Sequence, residues 1–144
     1  MEMAAMAVAL LRIMEALPRR APQNWLADFN RGEFFLLNYL YINNGSAWPS
    51  NMSKAMQTSS ARITAALNGL ERKGLVKRES DNDDHRRKLV HLTSEGFEYI
   101  EGYRDRALHN ITKLLSELGE KDASEYLRIT QRMETISRNF EFDL

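Results

Sequence analysis

The apolar period of this chain changes at Gly74. Upstream, SARITAALNGLERK places Ile63, Ala66, Leu67 and Leu70 on one side of a helix, with Ala61, Ala65, Asn68 and Arg72 on the other. Downstream, LVKRE and KLVHL alternate with a period of two around the polar run SDNDDHRR, the pattern of a hairpin with a long tip. Gly74 suits the left-handed residue that closes the helix. A helix joined to a hairpin through one glycine excludes both a plain helical bundle and an all-β fold.

The segments on either side extend the frame. Pro49 tolerates the missing amide hydrogen of a first helical position, so PSNMSKAM is predicted as a short helix. Thr58 and Ser59 then make a turn, and either hydroxyl can cap the helix that follows. Two helices joined by a tight turn and followed by a hairpin describe a winged helix-turn-helix. Before it, an Asn30 with Glu33 capping box opens an apolar helix through FFLLNYLYI, stopped by Asn43, Asn44, Gly45 and Ser46. At the N-terminus, Met3, Met6, Leu10, Ile13 or Met14, and Leu17 recur at helical spacing up to Pro18. After Thr93 and Ser94, Phe97 to Leu118 carry a helix of about 24 residues, roughly twice the usual length, to Gly119. A last helix runs from Ala123 to Phe140.

A chain of 144 residues, 43% of them hydrophobic, is the size of one ordinary domain. The fold class is mainly α with a small β-hairpin wing, over 1–144 as a single domain: a winged helix-turn-helix lobe at 30–96, with N- and C-terminal dimerisation helices at 1–22 and 100–144. The terminal helices carry more apolar face than one small lobe can cover, which points to a symmetric homodimer. There is no cysteine, so disulfides and thiolate metal sites are excluded. MEMAAMAVALLRIMEAL lacks the basic start of a signal peptide, and Arg12 and Glu15 interrupt it. No run reaches the roughly 20 apolar residues of a membrane span. A cytoplasmic protein without membrane contact is expected.

The stretch from Leu67 to Gly96, LNGLERKGLVKRESDNDDHRRKLVHLTSEG, resembles the multiple-antibiotic-resistance regulator (MarR) family of transcription factors. It matches the family's leucine-rich helix, Gly-Leu-Val, acidic wing with Asp-x-Arg at Asp84, His85 and Arg86, and Leu-Thr-x-x-Gly from Leu92 to Gly96. PSNMSKAMQTSSARITAAL fits the two helices upstream without a gap. Three positions depart from the family pattern: Gln57 where Gly is common, Thr58 where an apolar residue is usual, and His85 where a second Arg often precedes Arg86. The resemblance implies a homodimer with intertwined first and last helices and two winged lobes on one face of double-stranded DNA. Its recognition helix would enter the major groove and each wing the adjacent minor groove. Such regulators are most often repressors acting on pseudo-palindromic operators.

Charge supports a nucleic-acid partner locally. Lys, Arg, Asp and Glu balance at 20 basic and 20 acidic residues, yet 53–93 holds nine basic and five acidic, leaving 11 and 15 elsewhere. A basic excess on one module is the footprint of phosphate binding. The candidate DNA-reading residues are Ser59, Ser60, Ala61, Arg62, Thr64, Ala65 and Asn68 on the helix. Arg62 suits guanine, Asn68 adenine, and the alanines a thymine methyl, while Ser59 is a cap that can also contact phosphate. On the wing they are Asp84, His85, Arg86, Arg87 and Lys88. Asp84 is expected to hold the Arg86 guanidinium in a two-point bond, and Arg86 to enter a narrow minor groove. Asp81 and Asp83 are expected to solvate the tip.

Other constellations carry less. His85, His91 and His109 share no metal-ligand spacing, so no metal or other cofactor is expected. No phosphate loop or nucleophile elbow marks an enzyme. Similar regulators bind small aromatic or phenolic anions between dimer helices and lobe, which makes Trp25, Phe29, Arg31, Phe35 and Tyr39 a candidate effector pocket. Plain aromatic core is the competing reading. The alternative function is a winged-helix module that binds protein partners instead of DNA.

Overall fold

In the computed structural model the described residues are 2–21, 24 and 31–141. The chain divides into two compact units, Met1–Asp105 and Arg106–Leu144. The first contains α1 (Met3–Ala16), α2 (Gly32–Ile42), β1 (Ser46–Ala47), α3 (Pro49–Met56), α4 (Ser60–Arg72), β2 (Val76–Ser80) and β3 (Lys88–Leu92). It also contains the start of the 25-residue helix α5 (Ser94–Leu118), whose remainder belongs to the second unit with α6 (Glu120–Asn139). The mainly helical winged helix-turn-helix is therefore present.

The first unit is built around α2. Leu36, Leu37 and Leu40 of this apolar helix are buried and meet Met52 of α3, Ile63, Leu67 and Leu70 of α4, and Ile100 of α5. Val76, Val90 and Leu92 close the core from the sheet. Burying one such aliphatic side chain contributes about 1.5–3 kcal/mol, so the period written into α4 orients the helix: its apolar side is consumed and the opposite side left outward.

The hairpin pairs Val76 with Leu92, Arg78 with Val90 and Ser80 with Lys88. A third strand corrects the two-stranded expectation, giving the antiparallel order β1-β3-β2. The Gly45 carbonyl accepts from the Leu92 amide at 2.8 Å, and Ser46 and Ala47 then pair with His91 and Val90. Two residues are too short to show a period, so the stop signal at 43–46 conceals the strand.

Of the side-chain caps expected from the sequence, two form and one does not. Ser59 Oγ accepts from the Arg62 amide at 3.2 Å, and Thr93 Oγ1 from the Gly96 amide at 3.0 Å. The exception is the Asn30 with Glu33 capping box: Asn30 lies outside the described residues, α2 has Arg31 as its N-cap without a side-chain cap, and Glu33 accepts from Lys73 Nζ at 2.5 Å instead. Glu33 thereby ties α2 to the end of α4.

The turn between α3 and α4 explains one departure from the family pattern. Gln57 is left-handed, at φ +53 and ψ +47, and the Thr58 amide donates back to the Ser53 carbonyl at 3.2 Å. Ser53 Oγ donates to the Thr58 carbonyl at 2.7 Å, a polar clamp. A left-handed residue with a Cβ costs roughly 1–2 kcal/mol, which glycine avoids at some cost in unfolded-chain entropy. Gln57→Gly is expected to raise stability by about 0.5–1 kcal/mol, read from the midpoint of urea unfolding. A midpoint that stays or falls would show that unfolded-state entropy outweighs the relieved strain.

α1 and α6, each within its own unit, have no buried residues. Leu10, Ile13 and Met14 are exposed on α1, and Tyr126, Ile129, Met133 and Ile136 on α6. No described helix is long and apolar enough to cross a membrane.

Candidate nucleic-acid interface

Every residue named from the sequence for the reading face of α4 lies on its outward side. Ser60, Ala61, Arg62, Thr64, Ala65 and Asn68 are exposed, while Ile63, Leu67 and Leu70 between them are buried. The alternation is what period 3.6 dictates once one face is pinned to the core. Ser59 serves as the cap. Small side chains at 60, 61, 64 and 65 leave the first two turns of α4 thin enough for close approach to a base edge.

Asn68 is not a free amide. Its Oδ1 accepts a hydrogen bond from Arg78 Nη2, and the same guanidinium donates through Nε to Glu71 Oε2 at 2.7 Å. The Arg78 side chain is 20% exposed while Glu71 stays half exposed, so strand β2 and the third turn of α4 are joined by a polar contact at the surface. Sequence reading passes over Arg78 and Glu71, because their pairing depends on how the strand lies against the helix.

The wing tip is shaped by backbone bonds. The Asp81 amide donates to the Arg87 carbonyl at 2.9 Å and the Arg87 amide to the Asp84 carbonyl at 3.0 Å. Asp81 Oδ1 accepts from the Asp83 amide at 3.1 Å, and Asp84 Oδ1 from the Arg86 amide at 3.0 Å. Two expectations are corrected here. Asp84 engages the backbone of Arg86 and not its guanidinium, and Asp81 folds the loop beyond merely solvating it, since an aspartate's short arm reaches the amide two residues on. The exposed Arg86 guanidinium has no ion-pair partner among the described residues. Because an Asx turn needs only an acceptor oxygen, Asp84→Asn is expected to keep nucleic-acid affinity within about twofold and Asp84→Ala to lose about three- to tenfold, a cap-sized contribution. Equal losses in a direct titration would restore the charge-pair account.

Arg87 turns back instead of outward. Its guanidinium sits over the Trp48 ring, 4.1 Å from the centroid, and so braces the wing against the residue that precedes α3. Trp48, Pro49, Ser50, Arg86, Arg87 and Lys88 line a shared groove. Three cations beside a helix N-terminus make it attractive to an anion such as a backbone phosphate. His85 is exposed at the tip.

The remaining histidine of the sheet, His91, shares a 2.6 Å hydrogen bond with Ser46 Oγ through Nδ1, and its Nε2 lies 3.3 Å from Glu79 Oε2 without hydrogen-bond alignment. Among the described residues no three His, Asp or Glu side chains converge as metal ligands. Of the candidate effector residues, Trp25 and Phe29 lie outside the described residues. Phe35 and Tyr39 stack with ring centroids 6.0 Å apart and pack on the core, and Arg31 is exposed. Their described geometry is that of core edge.

Comparison with known proteins gives the same frame. Residues 27–87 match the model of the MarR family. An HTH-type transcriptional regulator of Bacillus subtilis, YdgJ, is 29% identical over 92 residues, 64% of this chain and 56% of that one. The B. subtilis repressor YetL is 24% identical over 101 residues, 69% and 60% respectively. The chain thus spans less than two thirds of these curated relatives. Among solved structures, B. subtilis YusO superposes with a TM-score of 0.71 at 20% identity, over 92% of this chain and 94% of that one. A Staphylococcus aureus MepR–DNA complex superposes at 0.60 and 24%, over 94% and 98%. These likenesses show the fold.

Proposed function

We propose that the chain, whose residues 27–87 match the MarR family model, is a MarR-family transcriptional regulator that binds double-stranded DNA as a homodimer and represses from a pseudo-palindromic operator. The observation that carries this is a thin, polar recognition face on α4 beside a wing tip whose Arg86 has no carboxylate partner among the described residues. A relative named as a repressor and a neighbour solved with DNA support it.

In this reading the first turns of α4 enter the major groove. Arg62 donates two bonds to guanine O6 and N7, and Ala61 or Ala65 meets a thymine methyl. Arg86 enters the minor groove, where narrow A·T stretches concentrate negative potential, and Lys88 with the start of α3 neutralises phosphate. A second copy covers the apolar faces of α1 and α6, and the two lobes read half-sites about one helical turn apart. A small aromatic or phenolic anion near Arg31, Phe35 and Tyr39 releases the operator.

Titration of labelled duplex from the protein's own upstream region, at several salt concentrations, tests the proposal. The expected result is a selective complex whose log affinity falls with log salt by about 0.9 per phosphate neutralised, formed by a dimer in sedimentation. Absence of binding to this and to random DNA would transfer the winged lobe to a protein partner.

A further inference from the structure

The contact between Arg78, Asn68 and Glu71 has a consequence for which base the recognition helix reads. A guanidinium carries donors and no acceptor. The atom of the Asn68 amide that faces Arg78 is therefore the oxygen, and the amide group Nδ2 is left to face outward with two donors. Glu71, three residues further along α4, accepts from Nε of the same guanidinium and holds its plane. Asn68 is thus presented in one orientation.

That orientation changes the expected partner. An asparagine that reads adenine uses its oxygen for the N6 amino group and its nitrogen for N7. Here one of the oxygen's two acceptor positions is held by a cation and the amide is turned toward Arg78, which disfavours the alignment adenine's amino group needs. Guanine offers two adjacent acceptors, O6 and N7, to a group that only donates. We propose that Arg78 is a specificity-positioning residue, which orients Asn68 to present its amide donors and directs it to guanine over adenine. Arg78 itself does not serve as a phosphate clamp, because Glu71 offsets its charge and its side chain is mostly covered.

This inference rests on the DNA-binding reading, and the experiment separates the two. Wild type, Asn68→Ala, Arg78→Met, Arg78→Lys and Glu71→Gln are titrated against duplexes in which each base pair of the bound site is varied in turn. The expected result is a guanine preference of about tenfold or more at one base pair, lost in Asn68→Ala. It relaxes toward adenine in Arg78→Met and partly in Glu71→Gln, with every other position unchanged. Arg78→Lys also relaxes it, because an ammonium lacks the two-armed plane that holds both partners. A selective wild type whose profile is unaltered in Arg78→Met overturns the positioning role alone. So does a uniform loss across all duplexes with a salt slope shallower by about 0.9, rescued by lysine, since that is the signature of a phosphate contact. Equal binding of every duplex by wild type overturns the DNA-reading premise and this inference with it.

Discussion

Gly96→Ala is expected to be the most destabilising conservative change in the winged lobe, by about 2–4 kcal/mol. A Cβ at this position would lie 2.0 Å from the Leu75 carbonyl oxygen and 3.1 Å from Leu92 Cδ2. The oxygen cannot simply retreat, because it accepts from the Thr93 amide at 3.1 Å. Thr93 in turn donates through Oγ1 to the Gly74 carbonyl at 2.6 Å while accepting from the Gly96 amide. Leu-Thr-x-x-Gly is therefore a staple: the threonine caps α5 and grips the end of α4, and the glycine lets α5 lie against the backbone entering β2. One methyl group pushes these apart and strains all three hydrogen bonds. Urea unfolding of the variant checks this. A midpoint within a few tenths of a kcal/mol of wild type would mean that α5 can shift without loss, and that the staple account is wrong.

Arg86→Ala is expected to give the largest loss of function without loss of fold. The residue is exposed, and no ion pair involves it among the described residues. Its removal should leave the unfolding midpoint within about 0.5 kcal/mol of wild type. Operator affinity should fall by about 1–3 kcal/mol, roughly fivefold to over a hundredfold, most strongly where A·T pairs narrow the minor groove. If Arg86 contacts phosphate alone, the loss is the same on every sequence and the salt slope falls by about 0.9. Unchanged affinity and slope would remove the wing from the DNA-binding account. Arg87→Ala is the informative companion. Its guanidinium is stacked on Trp48, so its loss should loosen the wing as well as remove one charge from the groove at the start of α3.

Parts of the site are legible in the sequence to different depths. The outward set on α4 follows from helical period once Ile63, Leu67 and Leu70 are taken as core. The wing tip is legible as a loop but not in its bonds: Asp84 and Arg86 are two residues apart, and both a side-chain pair and an Asx turn satisfy that spacing. The structure has the second. Gln57 is readable as a departure from the family pattern, whereas its left-handed backbone is what gives the departure a cost.

Apart from the two-residue strand β1, element type and order were determined by the sequence itself, because their signals are local. Pro49, Ser59, Gly74 and Thr93 each act within a turn of their own position, and the periods of 3.6 and two act within one helix or strand. Which polar groups meet was decided only by the tertiary structure. Arg78 reaches Asn68 ten residues away, Lys73 reaches Glu33 across forty, and Gly96 approaches Leu75, because the buried core packs α2, α4 and the sheet against one another. At that range a hydrogen bond depends on register and crossing geometry, which no stretch of sequence states alone.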